Sequence, residues 1–317
     1  MRVCLMIEGQ EDVTWDQWVA LAGACEEHGL EGLFRSDHYE SVMGMRERGS
    51  LDAWATLAAL ATRTSRIRLG TLVSPATFRH PSVLAKSVAT VDHVSGGRVE
   101  LGLGAGWHEG EHRAYGFEFP PTPVRMERLA EQLEIVTRSW TEDALTFQGR
   151  HYQVQDLRAL PKPVQRPRPT LLVGGGAGPK SLALAARFAD EYNTVGVPLE
   201  ELPERRRRLE DAWSEAGRDP GTARLSLMTT CVVGRDRAEV GERVGRVLAV
   251  TGRDESVAEV VDARPNWLLG TVDQVAERLA ALEAAGVGRV MLQHLDHADT
   301  EMVAVLGEVA ATMGSAP

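Results

Sequence analysis

The chain has 317 residues, which is too long for a small disulfide-stapled domain and suits one barrel of alternating strands and helices with insertions. Its 45 acidic and 35 basic residues give a formal net charge of -10, so the average surface repels nucleic acid and anionic lipid, and we expect neither as a partner. The three cysteines stand far apart and the N-terminus lacks the features of a signal peptide, so we expect a cytoplasmic protein without disulfides.

Short apolar runs alternate with longer amphipathic stretches along the whole chain. This is the pattern of βα units whose parallel sheet is buried on both faces. It predicts eight strands, at residues 2–7, 32–35, 68–73, 99–103, 170–173, 192–195, 225–233 and 290–293. Because a helical pattern follows each strand, we predict an α/β fold of the (β/α)8 TIM barrel type, as a single domain over residues 1–317.

Local signals mark the ends of several predicted helices. Thr14 is typical of a helix N-cap and Gly29 of a helix end, so the first helix lies between them. Apolar residues at helical spacing predict further helices over 122–140, 272–285 and 300–313.

Two stretches interrupt the repeat. Residues 145–169 alternate apolar and polar side chains around Gly149 and Arg150 and then become proline-rich, which indicates an inserted β-hairpin and an extended arm after the fourth strand. Residues 251–265 fit either a mobile loop or a short helix.

Polar residues follow the second predicted strand, where a barrel carries its catalytic groups. Asp37 and His38 stand side by side there, and an imidazole beside a carboxylate suits proton transfer near neutral pH. His38 is therefore our candidate catalytic residue. The alternative is that Asp37 caps the loop and His38 makes a structural hydrogen bond.

A glycine-rich segment follows the fifth predicted strand and precedes an apolar helix. Such glycines let backbone N–H groups approach an anion, whose charge the N-terminus of the helix also favours. The sequence predicts a phosphate-binding loop here, formed by Gly174, Gly175, Gly176, Ala177 and Gly178. The alternative is an ordinary tight turn.

One motif suggests a different chemistry. His108-Glu109-Gly110-Glu111-His112 matches H-E-x-x-H, in which two histidines on one helical face bind zinc. Gly110 inside the supposed helix and the lack of an evident third ligand argue against it, so we predict no metal ligands, while His108 or Glu111 can still face the pocket. Residues 205–208, four arginines among acidic residues, are typical of a solvated helix face.

Several motifs taken together resemble the luciferase-like monooxygenase family, and most closely its branch that uses the deazaflavin coenzyme F420. Their order and spacing carry the resemblance over nearly the whole chain. The motifs are Ser36-Asp37-His38, residues 70–75 with Arg79-His80-Pro81, residues 102–107, and Gly174-Gly175-Gly176 with residues 186–193.

The resemblance implies a cofactor ring packed against the third strand and a phosphate held after the fifth. It implies that Asp37 lies near the polar edge of the ring, that His38 is the acid or base, and that a non-proline cis peptide bond joins Val73 and Ser74. The residues implied around the ring are Thr71, Val73, Ser74, Gly106 and Trp107. Dimers are common in the family, so a homodimer is also expected.

One departure from the family concerns the substrate. Where sugar-phosphate dehydrogenases of the family carry glutamate, this chain has Trp107, which argues against sugar oxidation and, with Met43, offers an apolar wall. We therefore expect hydride transfer between coenzyme F420 and a small apolar organic substrate. The alternatives are an FMN-dependent monooxygenase on the same barrel and a zinc hydrolase that uses His108 and His112.

Overall fold

The computed structural model describes residues 1–314; residues 315–317, the end of the predicted domain, lie outside the described residues. Residues 1–314 form twelve strands, namely β1 (Arg2–Ile7), β2 (Gly32–Arg35), β3 (Arg68–Thr71), β4 (Ser74–Pro75), β5 (Val99–Gly104), β6 (Leu145–Gln148), β7 (Gln153–Leu157), β8 (Thr170–Gly174), β9 (Glu191–Val195), β10 (Leu225–Gly234), β11 (Leu268–Thr271) and β12 (Val287–Gln293).

The same residues form eleven α-helices, with short 3-10 turns at Leu199–Glu201 and Pro220–Thr222. The helices are α1 (Trp15–Glu27), α2 (Ala53–Ala61), α3 (Pro81–Ser95), α4 (Glu109–Tyr115), α5 (Thr122–Thr141), α6 (Pro179–Phe188), α7 (Leu202–Glu215), α8 (Arg237–Val250), α9 (Val257–Ala263), α10 (Val272–Ala284) and α11 (Thr300–Gly314).

Eight of the described strands close into a parallel barrel. The ring runs β1, β2, β3, β5, β8, β9, β10 and β12, and it closes where β12 pairs with β1. β4 pairs with β5 beyond the end of β3, and β11 pairs with the far end of β10. The predicted (β/α)8 barrel is confirmed, and the carboxyl ends of its strands meet at one face.

The prediction differs from the structure in a few elements. The third strand ends at Thr71 instead of residue 73, and the cis peptide bond joins Leu72 and Val73, one bond before the expected place. β11 and α4 were not predicted. The expected hairpin forms as antiparallel β6 and β7, and the ambiguous stretch 251–265 contains the short helix α9.

Side-chain contacts explain where α1 begins. The Thr14 hydroxyl accepts a hydrogen bond from the Gln17 N–H (3.3 Å), and the Gln17 side chain accepts one from the Thr14 N–H (2.9 Å). This reciprocal capping box satisfies two N–H groups that the helix leaves unpaired. The helix stops two residues before Gly29, whose φ of +78° favours glycine.

Apolar side chains fill two separate spaces, because successive residues of a strand face opposite sides of the barrel wall. Leu5 and Ile7 of β1 pack with Trp18 of α1 between the barrel and its helices. A smaller cluster fills the barrel interior, and it consists of Cys4, Met6, Phe34, Leu72, Leu172 and Met291.

No helix in residues 1–314 is both long and apolar enough to cross a membrane.

A layer of charged side chains closes the barrel at the amino ends of its strands. The Arg289 guanidinium donates to Glu100 (2.9 and 3.2 Å) and to Glu191 (2.9 and 3.0 Å), and all three side chains are at most 2% exposed. The second oxygen of Glu191 accepts from Arg2 (3.2 Å), and Glu100 also accepts from Arg68. Open space in the barrel therefore lies at the opposite end.

Candidate active site

A cavity of about 740 Å³ opens at the carboxyl ends of the barrel strands. This volume lies within the usual range for a site that binds a small molecule or cofactor. Its walls come from residues that follow β1, β2, β3, β5 and β8 and from the inner faces of β9 and β10. We take this cavity as the candidate active site.

His38 lines the cavity because the alternation of β2 continues past its end. Phe34 lies inside the barrel, and Ser36 and His38, at intervals of two residues, both line the cavity. The His38 ring packs edge-on against Trp107, with 5.6 Å between ring centroids. Its side chain is only 12% exposed, so it is largely shielded from bulk water.

A fully buried carboxylate orients His38. Nδ1 of His38 lies 2.8 Å from Oε2 of Glu111, whose other oxygen accepts from the backbone N–H groups of Tyr39 and Glu40. Among residues 1–314, Nε2 of His38 has no hydrogen-bond partner. The carboxylate therefore holds the proton on Nδ1 and leaves Nε2 for a molecule in the cavity.

The pair changes the pKa of both groups. Burial disfavours the charged imidazole, but the hydrogen bond and negative charge of Glu111 outweigh it and raise the pKa of His38. Burial would raise the pKa of Glu111, but its hydrogen bonds with His38 and the two backbone N–H groups lower it. Glu111 therefore stays ionised while His38 is available to gain or lose a proton.

The zinc alternative has no support in the described residues. His108 is the N-cap of α4, and its Nδ1 accepts from the Glu111 N–H at 3.1 Å. Both ring nitrogens of His112 are hydrogen-bonded, Nε2 with the Thr77 hydroxyl (2.6 Å) and Nδ1 with the His108 carbonyl (2.7 Å). No group of three or more potential ligands that could hold a metal ion occurs in residues 1–314.

Asp37 lies behind the cavity wall instead of at the edge of a bound ring. Its side chain is buried and points away from His38, as the strand alternation requires. One oxygen accepts from Arg79 (2.6 Å) and from the Ser74 hydroxyl (2.6 Å). Ser74 and Thr71, like Asp37, do not line the cavity, and the buried Thr71 donates to the Gly102 carbonyl (3.0 Å).

Val73 lines the cavity, and three glycines of the neighbouring strands make room for it. A Cβ atom at Gly102 would lie 2.9 Å from its side chain, one at Gly104 2.7 Å, and one at Gly174 3.0 Å. The approaches at Gly102 and Gly104 are closer than real Cβ atoms show, and the approach at Gly174 is tight enough that Val73 would have to shift. The glycines of β5 and β8 therefore allow Val73 to form an apolar part of the cavity wall.

The glycine-rich loop after β8 forms another wall. Gly174, Gly175, Gly176 and Gly178 line the cavity. Within residues 1–314 the N–H groups of Gly176, Lys180 and Ser181 have no acceptor, and a Cβ at Gly176 would meet nothing within 4 Å. These free donors at the N-terminus of α6, with the exposed Lys180 beside them, suit a phosphate group.

Two members of this loop contact Tyr192, which lies behind the loop; Ala177 does not line the cavity, whereas Gly175 does. Ala177 is buried and its N–H donates to the Tyr192 hydroxyl at 2.8 Å. A Cβ at Gly175 would lie 2.8 Å from that hydroxyl, so the position of Tyr192 by itself requires a glycine here. The predicted solvated face of residues 205–208 is also partly wrong, because Arg208 donates to the Ala177 carbonyl at 2.6 Å.

Gly106 and Trp107 line the mouth of the cavity, and Trp107 is 63% exposed. Met43 does not join this wall, since it lines a separate cleft with Glu11 and Arg48. Sequence reasoning missed the apolar residues that take its place, which come from the loop after β2, from β10, from the segment after β3 and from α5. They are Val42, Leu72, Met126, Leu129 and Met228.

Sequence reasoning also missed the polar residue Glu8. Glu8 directly follows β1, a position at which a barrel carries functional groups. It lines the cavity, and its two oxygens accept from the side-chain amides of Gln10 (2.9 Å) and Gln293 (2.6 Å). Glu8 therefore presents a carboxylate whose hydrogen bonds are already made within the protein.

Comparison with known proteins agrees with this architecture. The sequence model of the luciferase-like monooxygenase family matches residues 2–289, and the chain belongs to that family. An F420-dependent glucose-6-phosphate dehydrogenase of Microbacterium testaceum is 30% identical over 303 residues, 89% of this chain and 88% of the relative. An FMNH2-dependent dimethylsulfone monooxygenase of Pseudomonas putida is 28% identical over 262 residues, 74% of this chain and 70% of the relative.

Solved structures show the same fold. An F420-dependent secondary alcohol dehydrogenase, determined in complex with an F420-acetone adduct, superposes with a TM-score of 0.82 at 20% identity and covers 97% of both chains. The resemblance to the luciferase-like family and to its F420 branch is confirmed. Relatives that use F420 and relatives that use FMN both belong to this set, so the chain is a luciferase-like oxidoreductase of the flavin or deazaflavin type.

Proposed function

We propose that the protein transfers a hydride between coenzyme F420 and a small, uncharged, largely apolar substrate, with His38 as the group that moves the proton. The observation that carries the proposal is the His38–Glu111 pair, in which a buried carboxylate fixes the imidazole and leaves Nε2 open to the cavity. Interconversion of an alcohol and a carbonyl needs one proton donor or acceptor at the substrate oxygen, and this nitrogen supplies it.

The residues present fit the cofactor. The free N–H groups of Gly176, Lys180 and Ser181 suit its phosphate, and Val73 offers an apolar surface for its ring. When bound, the deazaflavin supplies a carbon that accepts or releases the hydride. The protein contributes orientation, an apolar wall, a His38 side chain that packs against Trp107 and is largely shielded from water, and the proton that His38 carries.

The charges of the cavity favour an uncharged substrate. Lys180 lies beside the free N–H groups, and we assign it to the cofactor phosphate. No other lysine or arginine lines the cavity in the described part of the chain, so a phosphorylated or carboxylated substrate lacks a counter-ion. Although a glucose-6-phosphate dehydrogenase is among the relatives, we do not expect glucose 6-phosphate to be oxidised.

Anaerobic turnover tests the proposal. Purified protein is mixed with reduced F420 and a panel of uncharged ketones and aldehydes, and cofactor oxidation is followed by absorbance. We expect oxidation of reduced F420 that depends on the carbonyl compound, and no reduction of oxidised F420 by glucose 6-phosphate. A parallel aerobic assay tests the alternative: if the protein with reduced FMN consumes oxygen in proportion to an added substrate and leaves F420 unchanged, the FMN-dependent monooxygenase replaces our proposal.

A further inference from the structure

The hydroxyl group of Tyr192 lies directly behind the glycine-rich loop. Tyr192 belongs to β9 and is 1% exposed, and it does not line the cavity. Its oxygen lies 2.8 Å from the Ala177 N–H donor and 2.9 Å from the hydroxyl of Ser181 in the first turn of α6. One buried hydroxyl thus joins the loop to the helix that follows it.

The direction of each hydrogen bond follows from the number of protons available. The Ser181 hydroxyl also lies 2.9 Å from the Gly178 carbonyl. Because a carbonyl can only accept, Ser181 donates its single hydroxyl proton to Gly178. Tyr192 must therefore donate to Ser181 and accept from Ala177. The result is a directed chain from the Ala177 N–H through both hydroxyls to the Gly178 carbonyl.

This chain decides which loop donors stay free. Ala177 has a positive φ of +56°, an unusual conformation for a residue with a side chain, and it is held on one side by Tyr192 and on the other by Arg208. With the Ala177 N–H turned inward and the Ser181 hydroxyl turned back to Gly178, the unpaired N–H groups of Gly176, Lys180 and Ser181 remain for an anion.

We infer that Tyr192 is a positioning residue of the phosphate site: its hydroxyl fixes the loop so that the free N–H groups are arranged before the cofactor binds. The inference rests on the proposed function, since it takes the anion to be the phosphate of a flavin-type cofactor. Preorganised donors bind more tightly because no loop ordering is required on binding.

The test compares cofactors with and without phosphate. Dissociation constants are measured by fluorescence titration for F420 and its phosphate-free 8-hydroxy-5-deazariboflavin core, and for FMN and riboflavin. Tyr192→Phe keeps the ring and removes both hydrogen bonds. We expect binding of the phosphorylated cofactor to weaken about tenfold, the loss of one or two ordinary hydrogen bonds, and binding of its phosphate-free partner to stay unchanged.

Tyr152→Phe is the matched control. Its hydroxyl donates to the Ala76 carbonyl at 3.2 Å, outside the loop, so both affinities should stay at the wild-type value. Thermal unfolding of both variants shows whether a buried tyrosine hydroxyl matters only for stability. If Tyr192→Phe weakens both cofactors of a pair equally, or neither, the positioning role is refuted.

A second variant tests the same contact from the other side. The added Cβ of Gly175→Ala would meet the Tyr192 hydroxyl at 2.8 Å and displace it. Gly175→Ala should weaken phosphate-dependent binding in the wild-type background and have almost no further effect on top of Tyr192→Phe, because the colliding atom is gone. Additive losses would overturn the inference.

The outcomes separate this inference from the proposed function. If the wild type binds FMN and not F420, the proposed function fails, while the FMN and riboflavin pair still tests Tyr192. If the wild type binds neither phosphorylated cofactor more tightly than its phosphate-free partner, the loop is not a phosphate site and this inference fails, while anaerobic turnover still decides the proposed function.

Discussion

The two ends of the barrel are both rich in polar groups, and they differ in how many of those groups have partners. At the amino ends, Arg289 lies between Glu100 and Glu191 with its hydrogen bonds made and almost no exposure. At the carboxyl ends, Nε2 of His38 and the N–H groups of the glycine-rich loop have no partner within residues 1–314.

This difference indicates which end stabilises the fold and which end acts on a ligand. A buried charge with complete partners contributes to a stable and specific packing, whereas a donor or acceptor left open beside a cavity is available for binding or proton transfer. Substitutions at the amino end should therefore change stability alone, and substitutions at the carboxyl end should change binding and turnover.

His38→Ala should have the largest effect. A general acid or base typically contributes about 10² to 10⁴ in rate, so turnover should fall by that factor while cofactor affinity changes much less. Anaerobic turnover and cofactor titration on one preparation measure both quantities.

The control is His151→Ala, because His151 also pairs with a glutamate, Glu127 at 2.9 Å, but lies on the inserted hairpin. It should keep full turnover. If His38→Ala lowers only thermal stability and leaves turnover per folded molecule intact, His38 is structural and the carboxyl end loses its catalytic group.

Arg289→Met should have the largest effect on stability. It leaves Glu100 and Glu191 buried without their shared cation, and breaking a buried ion pair in this way costs about 3–5 kcal/mol. Chemical unfolding measures the loss, and turnover per folded molecule should stay at the wild-type value.

Arg207→Met provides the comparison, since Arg207 is exposed and pairs with Glu204 and Asp211 at the surface. It should change the free energy of unfolding far less than Arg289→Met does, because solvent screens an exposed ion pair. Equal losses in the two variants would contradict the special role of the amino-end layer.

Gly176→Leu should weaken cofactor binding without harming the fold. The new side chain meets no protein atom near its Cβ, but it occupies space in front of the free N–H groups. Crowding of this kind costs about 1–3 kcal/mol, or about one to two orders of magnitude in affinity. Gly241→Leu, at an equally open position in α8, should leave affinity unchanged. Unaltered binding in Gly176→Leu would remove the loop from the site.

The pH dependence of turnover should show the smallest effect, and the one most specific to His38. Because Glu111 raises the pKa of His38 despite burial, the imidazolium persists above the ordinary value of about 6.5. Carbonyl reduction, which needs the protonated form, should fall as the pH rises through the raised pKa, and alcohol oxidation should increase. Glu111→Gln removes the charge, lowers that pKa and should move both changes to lower pH.

The raised pKa of His38 also makes the stability of the fold depend on pH. The folded state holds the His38 proton more tightly than the unfolded chain, so the pair stabilises the fold fully below the ordinary pKa and loses this contribution as the pH rises through the raised one. Unfolding measured against pH should show this loss in the wild type and not in Glu111→Gln. Identical profiles would mean that Glu111 does not act on His38.

The sequence predicted the barrel well because burial on both faces leaves near-continuous apolar runs. It missed β11, which is only four residues long and pairs outside the ring with the end of β10. It missed α4 because Gly110 is unfavourable inside a helix, although His108 caps that helix.

The site was predicted only in part, because strand alternation and contacts between neighbouring strands decide which side chains face the cavity. Asp37 and His38 are neighbours in sequence, but the strand alternation sends one side chain to each side of the wall, and extending it from Phe34 would have separated them. The role of Gly175 was not predictable from sequence, because the atom that requires it belongs to Tyr192, on the next strand.

A binding titration of the purified protein with coenzyme F420 and, in parallel, with FMN tests most directly whether the cavity holds a deazaflavin. We expect saturable binding of F420 that is tighter than that of FMN and that Gly176→Leu weakens. Tighter binding of FMN, or F420 binding that Gly176→Leu leaves unchanged, would contradict a deazaflavin held between the glycine-rich loop and His38.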